Sequence, residues 1–155
     1  RSRPGFLHRV PPQESTDRAA WQGWPAAPDG GWGEPPTALW ADRVGEMSIR
    51  QIDGKAVLSY FNASTGNMEM RVADDPTGLG TAPVTTVVFA GDWPDPAEVL
   101  PPPEINRLAQ PYGGYISPGS TIDQVRVFVS QWNTQPRGGT PYRVIQYAVN
   151  PIKPW

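Results

Sequence analysis

The sequence predicts an all-β protein in which antiparallel strands form the four-stranded blades of a β-propeller. Three observations support this fold class. Apolar and polar residues alternate with a period of two wherever the 155-residue chain is regular. An Asp53-Gly54 turn, typical of a tight hairpin, joins two of the alternating runs. The same succession of strands and turns begins again near residue 112, which indicates an internal repeat.

The first repeat unit, a predicted blade, spans residues 44–90. The Asp53-Gly54 turn, a polar turn at 64–67 and a loop at 74–83 divide it into four runs. The predicted strands are VGEMSIRQI at 44–52, KAVLSYFN at 55–62, MEMRVA at 68–73 and VTTVVFA at 84–90. Four short antiparallel strands within one such segment match the size of a propeller blade.

A Pro-rich linker at 91–111 leads into the second unit, a predicted closing blade at 112–149. The predicted strands of this unit are 112–118, 124–133 and 141–149. AVLSYFN in the first unit and VRVFVSQWN in the second are both rich in β-formers and end in Asn, so they correspond. The second unit lacks a fourth strand. We expect GFLHRV at 5–10 either to supply that strand or to be the last strand of an earlier blade.

Residues 1–155 are predicted to form a single portion of a propeller domain, with an aromatic and Pro-rich segment at 11–43 before the first blade. Within that segment, residues 14–24 allow one or two helical turns capped by Ser15 or Thr16. Two blades cannot close a ring, because propellers have about four to eight. The remaining blades are therefore expected from sequence outside this chain or from a second chain. The alternative is a β-sandwich of two sheets.

The composition argues against several classes of function. The net charge is −2 and the basic residues are scattered, so we expect no nucleic-acid partner. No stretch approaches 18 apolar residues, so we expect no membrane-spanning helix. Because Cys is absent and His8 is the single histidine, we expect neither a metal site nor a Ser-His-Asp triad. We expect no cofactor. The Gly-Leu-Gly at 78–80 is predicted to be a turn and not a phosphate-binding loop, because no helical pattern follows it.

Several stretches resemble the bacterial propeller family known as domain-of-unknown-function 4185. They are GEMSIRQIDGKAVLSYFN at 45–62, ADDPTGLGTAPV at 73–84, the run from YGGYISPGST through VFVSQWN to PYRVIQY, and FLHRVPPQESTDRAAWQGW upstream. The resemblance covers about residues 5–149 and the C-terminal part of a family domain. It implies a five-bladed propeller.

The same resemblance implies a glycan as the substrate. The family includes endo-D-arabinanases that cleave the arabinan of mycobacterial cell walls, and also uncharacterised secreted or phage-borne proteins. It therefore implies a hydrolase that acts on arabinan or a related polysaccharide. The implied location is extracellular or in the cell envelope, and a phage-associated protein is included. The alternative from the residues is a non-catalytic module for carbohydrate binding, structure or protein interaction, because Trp and Tyr are abundant and blades are missing.

Glycoside hydrolysis normally uses two carboxylates that flank the scissile bond. The innermost strand of each blade lines the propeller axis, and here those strands are 44–52 and 112–118. Glu46 lies on the first of them and is the leading candidate for a catalytic carboxylate. It could instead cap a turn or pair with Arg71. Asp42, just upstream, is the second catalytic candidate, with a solvated loop acid as the alternative.

Aromatic residues on the closing blade are the predicted substrate-binding groups. Tyr112 and Tyr115 lie on its innermost strand, and aromatic faces can stack on sugar rings. Trp132 shares a face with Ser130, and its alternative role is to anchor the core of the blade. Tyr112 could also pack in the core. Arg71 completes the predicted substrate-binding set.

Overall fold

The computed structural model describes residues 3–27, 29–41, 43–91, 106–132 and 142–153. These residues confirm the all-β prediction. They form three separate sheets, none of which closes into a barrel, together with three short 3₁₀-helices at Pro12–Glu14, Arg18–Ala20 and Pro76–Gly80.

The first sheet contains the first predicted blade. Its strands follow in the order β3 (Val44–Ile52), β4 (Lys55–Asn62), β5 (Met68–Ala73), β6 (Val84–Gly91) and β7 (Arg107–Ala109). The first four strands form an antiparallel meander, as predicted. The turn between β3 and β4 has Asp53 at φ 48° and Gly54 at φ 79°, the left-handed pair that tight hairpins require. The sequence did not predict β7, which adds parallel to β6.

The second sheet is an antiparallel meander of three strands. They are β8 (Pro111–Ile116), β9 (Val125–Trp132) and β10 (Tyr142–Val149). β9 and β10 pair along their full lengths, from Val125 opposite Val149 to Trp132 opposite Tyr142. β8, β9 and β10 follow one another as an antiparallel meander, as β3, β4 and β5 do. Strand β8 begins one residue earlier than predicted.

The third sheet corrects the expectation for residues 5–10. Its two strands are β1 (Leu7–Arg9) and β2 (Gln22–Trp24), and they pair antiparallel with Leu7 opposite Trp24. The prediction that this segment completes the closing blade is therefore wrong, because β1 pairs with β2 and not with β10. The predicted helical turns are present as 3₁₀-helices. The cap of the second is Asp17, whose carboxylate accepts a hydrogen bond from Ala19 N at 2.9 Å, and not Ser15 or Thr16.

Two apolar clusters hold the sheets together. The larger lies between the first and second sheets, and its buried members are Ile52, Val57, Met68, Met70, Val87, Val88, Leu108, Ile116, Val125, Val127, Val129 and Val149. The smaller covers the opposite face of the first sheet, and its buried members are Val44, Ala56, Leu58, Tyr60 and Leu79, with Trp40 packed against them. Each fully buried aliphatic side chain contributes about 1.5–3 kcal/mol. Because β4 is buried on both faces, apolar residues continue on both sides of the strand, at 56–58 and 60–61.

The first strands of the two meanders lie side by side. Ser48 Oγ on β3 accepts a hydrogen bond from Ile116 N on β8 at 3.2 Å, and Arg50 Nε donates to Ile116 O at 2.7 Å. Side chains of β3 thus satisfy backbone groups on the edge of β8 that its partner β9 leaves free. An edge covered in this way cannot pair with another chain at that point.

Gly114 permits this close approach of β8 to the first sheet. A Cβ atom at Gly114 would lie 2.5 Å from Met68 Cε and 2.9 Å from Ser59 Oγ, both on buried side chains. We expect Gly114→Ala to destabilise the fold by about 1–3 kcal/mol, the usual cost of overpacking a core. Chemical denaturation followed by tryptophan fluorescence would measure it.

Gly113→Ala is the matched control. A Cβ atom at Gly113 would approach Glu46 Cβ at 3.3 Å and Ser130 Oγ at 3.5 Å, which are looser contacts on residues outside the core clusters. We expect a smaller loss of stability for this variant. Equal losses for the two variants would show that packing at Gly114 does not set the distance between the sheets.

Candidate functional site

A β-bulge near the start of β3 places Glu46. Val44 lies opposite Asn62 and Met47 opposite Tyr60, so Gly45 and Glu46 together face the single residue Phe61. Both bulged residues therefore turn to the side of the first sheet that faces β8. Glu46 is solvent-exposed there, and its Cβ lies close to Gly113 on β8.

Glu46 and Tyr112 line the same surface depression. The depression is open to solvent, has a volume of about 520 Å³, and is also lined by Arg3, Pro4, Val44, Gly45, Met47, Phe61 and Ala63. The structure thus brings together the leading carboxylate candidate and one of the predicted aromatic residues. They come from the first strands of the two meanders, which the sequence predicted to be the innermost strands.

Tyr112 forms an aromatic pair with Trp132. Their ring centroids are 5.1 Å apart at an interplanar angle of 51°. The antiparallel pairing of β8 with β9 brings the start of one strand beside the end of the other, where Trp132 N donates to Gln110 O at 3.0 Å. Tyr112 is 37% exposed and Trp132 is 38% exposed, so neither ring is enclosed in the core. The pair offers a partly exposed aromatic surface beside the depression.

Tyr115 lies further along β8 and does not line this depression. Its hydroxyl accepts a hydrogen bond from Arg50 Nη2 at 2.5 Å, and the guanidinium lies 5.2 Å from the centre of its ring. The ring is 52% exposed. Tyr115 is therefore held by β3 and is separate from the Tyr112–Trp132 pair, and its predicted contact with substrate stays a prediction.

Arg71 lies on the opposite face of the first sheet. Register places it opposite Leu58 in the smaller core cluster, where it is 8% exposed. Its Nη1 donates to the carbonyl oxygens of Ala82 at 2.8 Å, Gly80 at 3.3 Å and Leu79 at 3.4 Å. The guanidinium thus anchors the loop between β5 and β6. The alternative in which Glu46 pairs with Arg71 does not hold, because the sheet separates them. A contact between Arg71 and substrate remains a prediction.

A buried polar network beside Arg71 was missed at the level of sequence. Glu69 Oε2 accepts hydrogen bonds from Tyr60 Oη at 2.8 Å and Asn62 Nδ2 at 2.9 Å, and its Oε1 accepts one from Thr65 Oγ1 at 3.1 Å. Arg71 Nε donates to Tyr60 Oη at 3.2 Å. The sequence offered one indication of this network, since alternation along β4 puts Tyr60 and Asn62 on the same face of the sheet. Burial of the Tyr60 hydroxyl raises its pKa to about 12, with Glu69 adding to the rise and Arg71 opposing it.

The second catalytic candidate, Asp42, lies outside the described residues. Among those residues, no group of three or more His, Asp or Glu side chains could hold a metal ion. In the same part of the chain, no helix has the length and apolar character needed to cross a membrane. The site that the structure brings together therefore consists of Glu46, Tyr112 and Trp132.

Comparison with known proteins identifies a family. The family model described as "Domain of unknown function (DUF4185)" matches residues 1–148. An "Uncharacterized 35.9 kDa protein in asd 3'region" of Mycolicibacterium smegmatis is 81% identical over all 155 residues, which make up 46% of that protein. "Notoamide biosynthesis cluster protein J'" of Aspergillus versicolor is 34% identical over 137 residues, which are 84% of this chain and 34% of that protein.

A second fungal protein gives a similar match. "Notoamide biosynthesis cluster protein J" of Aspergillus sp. (strain MF297-2) is 33% identical over 137 residues, which are 84% of this chain and 33% of that protein. The chain therefore spans less than half the length of each of these curated relatives.

The Tyr60 hydroxyl gives a test of the buried network by pH. Its ordinary pKa is 10.0, and the folded value is about 12. Folding favours the neutral form of the Tyr60 hydroxyl. This preference adds its full contribution to the free energy of unfolding below pH 10, and the contribution is lost as the pH rises towards 12. In a titration of tyrosinate absorbance, we expect Tyr60→Phe to remove a component near pH 12. Tyr115→Phe, which removes an exposed hydroxyl, should leave that component in place. Its survival in Tyr60→Phe would contradict the assignment.

Proposed function

The chain belongs to the DUF4185 family, and from that premise we propose that it is part of a hydrolase-like β-propeller that acts on cell-wall arabinan or a related polysaccharide. The observation that carries the proposal is the placement of Glu46 beside the Tyr112–Trp132 pair at an open depression. The family match and the longer relatives support the view that further blades complete the domain.

The chemistry of the depression suits a carbohydrate. A polysaccharide chain needs an open surface and not an enclosed pocket, because the polymer extends on both sides of the bound sugars. The Tyr112 and Trp132 rings offer apolar area for the face of a sugar ring, and they carry polar atoms at their edges. The exposed Glu46 carboxylate can accept hydrogen bonds from sugar hydroxyls. These groups would bind a neutral glycan without a metal or cofactor.

Cleavage needs a second carboxylate. Retaining and inverting glycosidases place two acids on either side of the glycosidic bond, and Glu46 is the one acid among the described residues that line this depression. We propose that Glu46 is one member of the pair. The other would be Asp42, which lies outside the described residues, or an acid from the remainder of the longer protein. A polysaccharide substrate of this kind would place the protein in a secreted or cell-envelope location.

The arrangement of the sheets supports a propeller. Two meanders have the same strand order, their first strands lie side by side, and a shared apolar core joins them. Successive blades packed around an axis would have these features. In this proposal the remaining blades of a five-bladed ring come from the longer polypeptide or from a second chain. A β-sandwich shares the face-to-face packing and is the alternative arrangement.

The second candidate function is carbohydrate binding without cleavage. The specific observation in its favour is that the described lining of the depression supplies a single carboxylate beside two aromatic rings. An aromatic surface with one hydrogen-bonding acid is sufficient to bind a glycan. Binding without turnover by the full-length protein would favour this candidate.

Replacing Trp132 tests the aromatic surface. We expect Trp132→Ala to weaken binding of arabinan fragments at least about tenfold, since an aromatic residue central to a binding site commonly contributes more than about 1.4 kcal/mol. Isothermal titration calorimetry would measure the affinity. Trp21→Ala is the matched control, because Trp21 is 39% exposed and lies away from the depression, between the 3₁₀-helix Arg18–Ala20 and β2. Equal affinities for the two variants would remove Trp132 from the site.

Replacing Glu46 separates the two candidate functions. In the full-length protein, we expect Glu46→Gln to lower the rate of arabinan cleavage by at least about a hundredfold while fragment binding changes little. The loss follows from removing a general acid, base or nucleophile. Reducing-sugar release would measure the rate. Wild-type activity in Glu46→Gln would exclude a catalytic role for Glu46.

A further inference from the structure

The two meanders differ in the strand that follows the third one. In the first sheet, β6 pairs antiparallel with β5 through residues from Met68 opposite Val88 to Arg71 opposite Val84. β10 is the counterpart of β5, since each is the third strand of its meander. Among the described residues, no strand pairs with the side of β10 that faces away from β9. The repeat therefore defines a position for one more strand in the second sheet.

Over residues 144–149, the exposed side of β10 has none of the features that normally protect a sheet edge. Natural edges are protected by Pro, by Lys, by bulges or by covering side chains. The charged residue of β10, Arg143, lies near the start of the strand, and its Nε donates to Gln131 Oε1 on β9 at 3.0 Å. Residues 144–149 read VIQYAV and contain no charge and no proline, and β10 pairs with β9 without a bulge. Val144 is 61% exposed on this strand. By contrast, Ser48 and Arg50 cover backbone groups on the edge of β8.

Tyr147 provides an independent indication that a neighbour is missing. Tyr147 and Ile145 lie on the side of β10 that packs against the main core, and both are only partly buried. The Tyr147 hydroxyl is buried, and within the described part of the chain it has no hydrogen-bond partner. A buried hydroxyl without a partner costs about 1–3 kcal/mol, so such groups are normally satisfied in a complete structure.

We propose that the free edge of β10 is an interaction surface for a β-strand from the part of the longer polypeptide that lies outside residues 1–155. The strand would pair antiparallel with β10, as β6 does with β5. Its inward side chains would cover Ile145 and provide a polar partner for the Tyr147 hydroxyl. We assign this strand to a segment of the same protein, because each curated relative is more than twice as long as the region it shares with this chain.

Hydrogen exchange at single amides of β10 tests the proposal. In an antiparallel pair, successive residues alternately direct their backbone groups towards the neighbouring strand and away from it. Pairing with β9 alone would protect about half of the β10 amides. Pairing on both sides would protect the whole strand. The measurement would use the full-length Mycolicibacterium smegmatis relative, which is 81% identical over this chain, and the 155-residue chain itself.

In the relative, we expect the amides that face away from β9 to be protected at least about tenfold more than in the 155-residue chain. Strand β4 is the internal control, because it pairs with β3 and β5 and should be protected throughout in both proteins. An alternating pattern of protected and exposed β10 amides in the relative would overturn the proposal, and this result does not depend on the shorter chain.

A second outcome would also overturn the proposal. If the 155-residue chain alone protects the outward amides, and does so more strongly at higher concentration, then a second copy occupies the edge and not a segment of the same polypeptide. The test is independent of the polysaccharide proposal. Full-length protein with a fully protected β10 and no affinity for arabinan would support the edge contact and refute the function.

Discussion

The close contact of β8 with the first sheet at Gly114 is the constraint on which the rest of the arrangement depends. Ser59 and Met68 occupy the space that a side chain on Gly114 would need. With that space free, Val127 and Val129 of the second sheet share one apolar cluster with Val57 and Met70 of the first. The same proximity allows Ser48 and Arg50 to bind the backbone of Ile116. It also brings Tyr112 to the depression that Glu46 lines.

The two faces of the first sheet differ in composition and in the contacts they make. The face towards the second sheet is mostly apolar and holds the two repeats together. The other face combines aliphatic residues with the network of Tyr60, Asn62, Glu69 and Arg71. Because the Arg71 guanidinium binds three carbonyl oxygens in the connection between β5 and β6, the network fixes that connection, including the end of its 3₁₀-helix Pro76–Gly80. The exposed acid and the buried ionisable residues are thereby kept apart by the thickness of one sheet.

The sequence predicted the local structure better than the contacts between distant residues. Alternation and turn residues were enough to bound β3, β4 and β5 as observed, since the period of two and the Asp53-Gly54 turn are local features. β7 was missed because three residues in a Pro-rich segment carry no pattern. The pairing of β1 with β2 depends on a neighbour more than ten residues away, which alternation does not specify.

The same division holds for the candidate site. The prediction that the first strands of the two units line a propeller axis gave Glu46 and Tyr112 as candidates, and the structure places both at one depression. Arg71 was grouped with them because the register between β3, β4 and β5 was not known. Once Leu58 is placed opposite Arg71, the guanidinium belongs to the other face. The bulge at Gly45 and Glu46 leaves no mark on the hydrophobic pattern, so the sequence did not predict which face of the sheet Glu46 lies on.

The bulge also separates two requirements that a regular strand could not meet together. A side chain at Gly45 would lie 2.9 Å from Phe61 Cδ1, so the residue against that ring must be small. The next residue, turned to the same side, is free to be an acid. In a relative with one residue fewer between Val44 and Met47, a single position would face Phe61 and would have to be small and acidic at once. Such a protein could keep both flanking ladders and the core, and yet lack the carboxylate. The number of residues in this short interval therefore decides whether the strand can carry an acid beside the depression.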